Sequence, residues 1–193
     1  LPIFGVVLGL AQSMEPLFLT SEVQRELSTH IWEIAILAIP MALIIITAGI
    51  DLSIGGMMAL CAITVGMLFQ SGLPPWAAAI IGVVVATVCG GLNGLIVTRV
   101  KVHPLIVTLA TMAAFRGAAE GISRARPVSS FPESFSWLGQ GVWMGLPVPA
   151  WFFLGLLFLS ILFLSYTAWG KYCYAIGLND VACRFSGVPV DRV

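Results

Sequence analysis

Between Glu33 and Arg99 the sequence carries a single formal charge, Asp51, and between Glu133 and Lys171 it carries none. A helix crossing the hydrocarbon core of a bilayer needs about 20 predominantly apolar residues, so these stretches hold several spans, and a soluble core requires no apolar run of that extent. Composition agrees, with 59% apolar and 9% charged residues against about 25% charged in a soluble globular domain. The expected fold is therefore all-α: a polytopic transmembrane helical protein in which residues 1–193 form a single transmembrane domain. Net charge is zero and the nine basic residues are dispersed, which leaves no electrostatic footprint for nucleic acid and no polybasic patch for lipid headgroups. Membrane lipid is met through the spans instead.

Five full spans are expected, at Ile31–Ile50, Ile54–Gln70, Trp76–Thr98, Leu105–Ile122 and Pro149–Thr167. Leu1–Ala11 is apolar but too short to cross, so it reads as the end of a truncated helix or as an interfacial segment. Met14–His30 is polar and is expected at the water interface, with Ser28-Thr29 offering capping oxygens to the run that follows. Ser71–Pro75 is a tight turn, Arg124–Pro149 is the longest polar connection, and residues 170–193 form a polar tail. The tail stops in mid-pattern at Asp191-Arg192-Val193, as a fragment would. If every span crosses, the basic loop Arg99–Pro104 and the tail with Lys171, Arg184 and Arg192 share one side, which the positive-inside rule makes cytoplasmic; Arg124 and Arg126 fall opposite.

Asp51 is the sharpest polar feature, because an ionisable group flanked by glycines where two spans meet marks a functional position by default. Its carboxylate can also cap the next helix by accepting the backbone N–H of Ser53 or Ile54. Asn93 lies within a span, where a side-chain amide must find a partner, either in an interhelical hydrogen bond or on a solute path. Gly82, Ala86, Gly90 and Gly94 recur at intervals of four, which suits close helix packing within one subunit. Arg116 and Glu120 stand four apart and can pair. His30 and His103 sit beside loops with no helical metal motif, and the four cysteines form no C-x-x-C pair, so no metal site is indicated and the cysteines read as small core residues. No P-loop is present, since Gly170-Lys171 is followed by Tyr172; any ATP must be bound and hydrolysed by a partner. An intramembrane enzyme would need a nucleophile with a base or metal ligands in its spans, and these have neither histidine nor a G-x-S-x-G elbow.

The run Ala48-Gly49-Ile50-Asp51-Leu52-Ser53-Ile54-Gly55-Gly56 resembles the G-G-I-D-L-S-V-G signature of the ribose-type permeases of sugar ABC importers. Gly91–Gly94, Pro104–Met112, Tyr174–Asn179, Ala182, Ser186–Val188 and Val190–Arg192 follow in that family's order, so the resemblance covers nearly the whole chain. Ala48 departs from it where the family usually has glycine, and Gly56 where a hydroxyl or small residue is common. Ala38–Met41 and Leu68–Gly72 look more like the rhamnose and autoinducer-2 branch. The resemblance implies a ten-helix permease that pairs with a second permease subunit, a cytoplasmic ABC ATPase and a periplasmic sugar-binding protein. It makes Asp51, Ser53, Asn93, Thr108 and Thr111 candidates for the solute path. It also makes Gly177, Asn179, Ala182, Arg184, Phe185 and Gly187 candidates for coupling to the ATPase.

Within that tail, Asn179–Ser186 is expected to form a short helix, because Asn179 is a good N-cap, Gly187 can take the left-handed C-terminal conformation and Pro189 blocks continuation. Val181, Ala182 and Phe185 then share one face. A channel or secondary carrier also uses broken helices, but has no need of such a docking element.

Overall fold

The structure, a computed structural model, describes residues 2–192, with the side chains at 2–4, 8, 21, 22, 25–30 and 192 outside the description. It is helical nearly throughout: α1 (Pro2–Met14), α2 (Ser21–Ile46), α3 (Ile54–Gln70), α4 (Pro75–Leu95, continued by a π turn at Ile96–Val100), α5 (Pro104–Ser123), α6 (Glu133–Gln140), α7 (Val148–Tyr166), α8 (Ala168–Leu178) and α9 (Asp180–Phe185). A two-residue hairpin, β1 (Val142–Trp143) with β2 (Leu146–Pro147), precedes α7, and a 3₁₀ turn at Val190–Arg192 follows α9.

Each of the five expected spans corresponds to a helix, and three of these, Pro75–Val100, Pro104–Ser123 and Val148–Tyr166, are long and apolar enough to cross a membrane. Two differences from the sequence reading have physical causes. The helix expected at Ile31–Ile50 begins at Ser21 and ends at Ile46, so the segment around Ser28-Thr29 continues a helix rather than starting one; those two side chains and His30 lie outside the described residues. Its apolar portion, Ile31–Ile46, and the 17 residues of α3 are shorter than a full span. At 1.5 Å per residue α3 is about 26 Å long, close to the roughly 30 Å of a hydrocarbon core.

The connection 124–149 is also more ordered than a polar loop. Helix α6 lies over the α3–α4 turn through an aromatic cluster in which Phe131 stacks on Phe69 at 4.9 Å and Phe135 meets Trp76 edge-on at 5.4 Å. The tail from Ala168 opens with the three turns of α8, whose start is capped by Thr167 Oγ1 accepting the N–H of Gly170 at 3.0 Å.

Packing falls into two groups. Helix α3 lies between α4 and α5, and α2 packs on α7 and α8. The first group contains most of the buried positions, and they are small: Gly56, Gly66, Ala78, Gly82 and Cys89. A Cβ on Gly56 would lie 2.5 Å from the carbonyl oxygen of Met112, so α3 and α5 touch backbone to backbone there. Of the expected stripe, Gly82 faces Val65 of α3, Gly90 reaches only Met57, and Gly94 faces open space. A period of four drifts against the 3.6 residues of a turn, by about 120° over three repeats, so the line leaves the interface. All four cysteines are free; Cys89, Cys173 and Cys183 are buried and Cys61 is partly so.

Candidate functional site

Helix α2 ends in a Schellman motif: the N–H of Gly49 reaches the carbonyl of Ile44 and the N–H of Ala48 reaches that of Ile45, both at 2.9 Å. Ala48 stands at the left-handed position of that motif with φ 58°. The corner turns the chain into Asp51, whose Oδ1 accepts the backbone N–H of Ser53 at 2.7 Å and its hydroxyl at 2.6 Å. This satisfies one of the two donors expected for a capping role, through an Asx turn that leads into α3, with Ser53 as the N-cap residue.

The Ser53 hydroxyl in turn accepts from Asn93 Nδ2 at 2.8 Å, which joins the start of α3 to α4. Asp51, Ser53 and Asn93 are thus one relay, fully buried at Ser53 and 4% exposed at Asn93. Buried groups have no water to fall back on, so the internal partners are what makes the break tolerable. Thr108, 3% exposed, lies one turn before Met112 on α5, which sets it near the level of Ser53. Among the described residues, the two buried side-chain oxygens without a hydrogen-bond partner are Asn93 Oδ1 and Thr108 Oγ1. Thr111 differs from them, since its hydroxyl is bonded to the carbonyls of Val107 and Thr108 on its own helix at 3.0 and 3.3 Å.

The second cluster is built on α8 and α9. Asn179 Oδ1 accepts the N–H of Ala182 at 2.9 Å as the N-cap, and Asp180 occupies the first turn, where a helix N-terminus favours negative charge. The end is a second Schellman motif, Val188 N–H to Cys183 carbonyl at 3.0 Å and Gly187 N–H to Arg184 carbonyl at 3.2 Å, with Gly187 at φ 79°. Cys183 is buried while Val181 and Phe185 point outward, Phe185 at 89% exposure, with Leu178 and Ala182 also exposed.

Gly177 is where this cluster meets the first. A Cβ there would run into the carbonyl oxygen of Ile46 and come within 3.4 Å of the Thr47 Cα, so α8 rests directly on the corner that precedes Asp51. A cavity of about 470 Å³ lies beside that contact, between the Thr47–Gly49 corner, the end of α4 and α9.

Sequence reasoning missed the ionic tie across this end of the bundle. Arg184 donates to both carboxylate oxygens of Asp191 at 2.8 and 3.0 Å, and Lys101 stands 3.5 Å from Asp191 Oδ1. The Arg184 guanidinium, through that hydrogen bond above all, holds the Asp191 carboxyl down at about 2, and Asp191 raises Arg184 in return. Lys101 is ninety residues from Asp191 in sequence, so no local pattern announces the contact. It does bring the basic loop and the tail to one side, as the distribution of positive charge requires. At the other end, Arg116 and Glu120 pair as their spacing suggests, at 3.2 Å and well exposed.

The model of the family described as "Branched-chain amino acid transport system / permease component" matches residues 26–193. Among curated proteins, the chain is 34% identical over 165 residues to the "Autoinducer 2 import system permease protein LsrD" of Escherichia coli (strain K12), covering 82% of this chain and 50% of that protein. It is 33% identical over the same length to the protein of that name from Salmonella paratyphi B, with the same coverage. The chain thus spans about half the length of the curated relatives it matches. No solved structure matches it.

Proposed function

Because this chain belongs to the family of permease components of the branched-chain amino acid transport type, we propose that it is the membrane-spanning permease subunit of an ATP-binding-cassette importer. The cargo is a monosaccharide or a similar small neutral solute, carried across the bacterial inner membrane. A separate ATPase supplies the energy, a second permease subunit completes the pathway, and a periplasmic binding protein delivers the solute. The subunit itself does no covalent chemistry: its work is to change shape.

The observation that carries this reading is the contact of Gly177 with the Ile46 carbonyl. A short helix with an exposed apolar face, α9, is capped at both ends and joined to α8 through the single extended residue Asn179, and α8 is seated on the corner that leads to the buried Asp51–Ser53–Asn93 relay. Force applied to Val181, Ala182 and Phe185 from the cytoplasm would therefore reach the helix break without passing through a flexible loop. A channel or secondary carrier has no use for that lever. Asp51, Ser53, Asn93, Thr108 and Thr111 line the region where α3, α4 and α5 would part to admit solute. The unpaired oxygens of Asn93 and Thr108 are the hydroxyl-seeking groups there.

Ala182→Glu tests the docking role. It puts a charge on the exposed face of α9 without touching the Asn179 cap, and burying it against a partner without a counter-charge is strongly unfavourable. The complete permease carrying it is expected to insert and accumulate normally, to lose its ATPase during purification, and to lose uptake. Normal co-purification of the ATPase with the variant would refute the docking role.

A further inference from the structure

The hairpin before α7 has a residue its backbone does not suit. Met144 and Gly145 both have positive φ, 50° and 82°, and the pairs Val142 with Pro147 and Trp143 with Leu146 make this a two-residue, type I′ connection. Such turns favour Asn-Gly or Asp-Gly, because a short polar side chain tolerates the left-handed conformation and stays hydrated at the tip. Here the first position holds methionine, 76% exposed. Backbone preference and water exposure both argue against that choice, and such a conflict points to what the side chain touches.

The surroundings identify the partner. Val142, Trp143 and Leu146 are exposed on the hairpin, and no formal charge follows Glu133 until Lys171. The hairpin is not free to wander: Trp151 Nε1 donates to the Trp143 carbonyl at 3.1 Å, and the two indoles pack edge to face at 5.1 Å. Trp151 lies in the first turn of α7, the span Val148–Tyr166, so Trp143 is held at the depth where that span leaves the hydrocarbon. On α7 itself Phe152, Leu154 and Leu156 are exposed. Tryptophan favours that depth because its ring is apolar and its N–H is polar.

We propose that the Val142–Leu146 hairpin is an interfacial membrane anchor, with Trp143 and Met144 seated in the headgroup and upper acyl region of the bilayer beside the Val148 end of α7. The stiff I′ turn presents the methionine to lipid, and the polar stretch 124–130 is left as the water-facing part of the same connection.

The test is a depth measurement on the full-length protein in vesicles of phosphatidylcholine and phosphatidylglycerol. A nitroxide is attached at Met144→Cys or, for comparison, at Ser130→Cys, with Cys61, Cys89, Cys173 and Cys183 each replaced by alanine. The label at 144 is expected to collide with oxygen in preference to a water-soluble nickel chelate, several-fold more so than the label at 130. Equal, water-like ratios at both positions would overturn the proposal and turn the hairpin into a surface for a soluble protein. A second measurement keeps the native cysteines: the fluorescence lost in Trp143→Phe should be quenchable by lipids brominated high on the acyl chain and shielded from iodide. Quenching by iodide alone would overturn the proposal equally.

Discussion

The corner at the end of α2 makes a quantitative prediction, because the same motif ends four helices, two of them with glycine and two, Ala48 after α2 and Arg124 after α5, without it. Gly72 after α3, Gly187 after α9 and Ala48 after α2 all stand at the left-handed position, with φ 98°, 79° and 58°. An L-residue held there costs about 1–2 kcal/mol, while glycine gives back roughly 0.5–1 kcal/mol through the greater freedom it loses on folding. Ala48→Gly should therefore stabilise the protein by about 0.5–1 kcal/mol. Gly72→Ala and Gly187→Ala should each lose a similar amount, and a Cβ at either position meets nothing within 4 Å, so the backbone term is isolated. Ala48→Val should destabilise more than any of these, since β-branching worsens the same clash. Thermal unfolding of the purified protein in detergent, followed by a thiol-reactive dye that reports exposure of buried Cys89 and Cys173, orders the four variants. If Ala48→Gly lowers the midpoint while Gly72→Ala leaves it unchanged, the left-handed corner at Ala48 is wrong, and with it the path by which α8 is seated against the Asp51 turn.

Three further outcomes follow from the same two clusters. Asp51→Asn retains an acceptor for the Ser53 N–H and should keep insertion and partial uptake, whereas Asp51→Leu leaves the buried Ser53 donors without their acceptor and should lose both stability and uptake; full uptake with leucine would end the argument. Gly177→Ala forces α8 off the Ile46 carbonyl and should depress uptake even where the ATPase still co-purifies, so unchanged uptake would show that the lever does not run through this contact. The Asp191 carboxyl is lowered from its ordinary 3.8 to about 2 by Arg184; the tie is therefore complete above the ordinary value and is lost only as pH falls through the lowered one. Protection of a cysteine placed at Val190→Cys should accordingly be flat from about pH 5 to 8, and a transition within that range would exclude Asp191 as the group holding the tail.

How much of this was legible beforehand depends on the distance over which each feature is determined. Helix ends are local, and those of α9 read well: Asn179 as a cap and Gly187 as a left-handed stop depend on residues within one turn of themselves. The start of α2 read poorly for a reason that is also local. Polarity suggested a surface segment before Ile31, yet charged residues spaced along one helix are good helix formers, and nothing in their composition distinguishes a helix that leaves the membrane from a loop at its edge. Helix α6 and the hairpin were hidden because their stabilising contacts, Phe131 on Phe69 and Trp143 on Trp151, join separate elements.

The two clusters divide along the same line. Asp51 was conspicuous as a lone charge, and its bond to the Ser53 N–H is two residues away, so a capping role could be argued from sequence. That the Ser53 hydroxyl also receives Asn93, forty residues on, could not, although an amide inside a span announces that it needs some partner. Likewise Gly177 looks like an ordinary helical glycine until α2 is laid across it, and Asp191 like a solvated carboxylate until Arg184 and Lys101 converge on it. What these long-range contacts share is that each joins a helix end to another helix. Apolar faces give the spans little reason to choose one neighbour over another in lipid; a backbone touching a glycine, or a hydroxyl accepting an amide, tolerates only one arrangement. The specificity of the assembly is therefore concentrated in the few positions that join helix ends, Ser53 with Asn93, Gly56 with Met112 and Gly177 with Ile46.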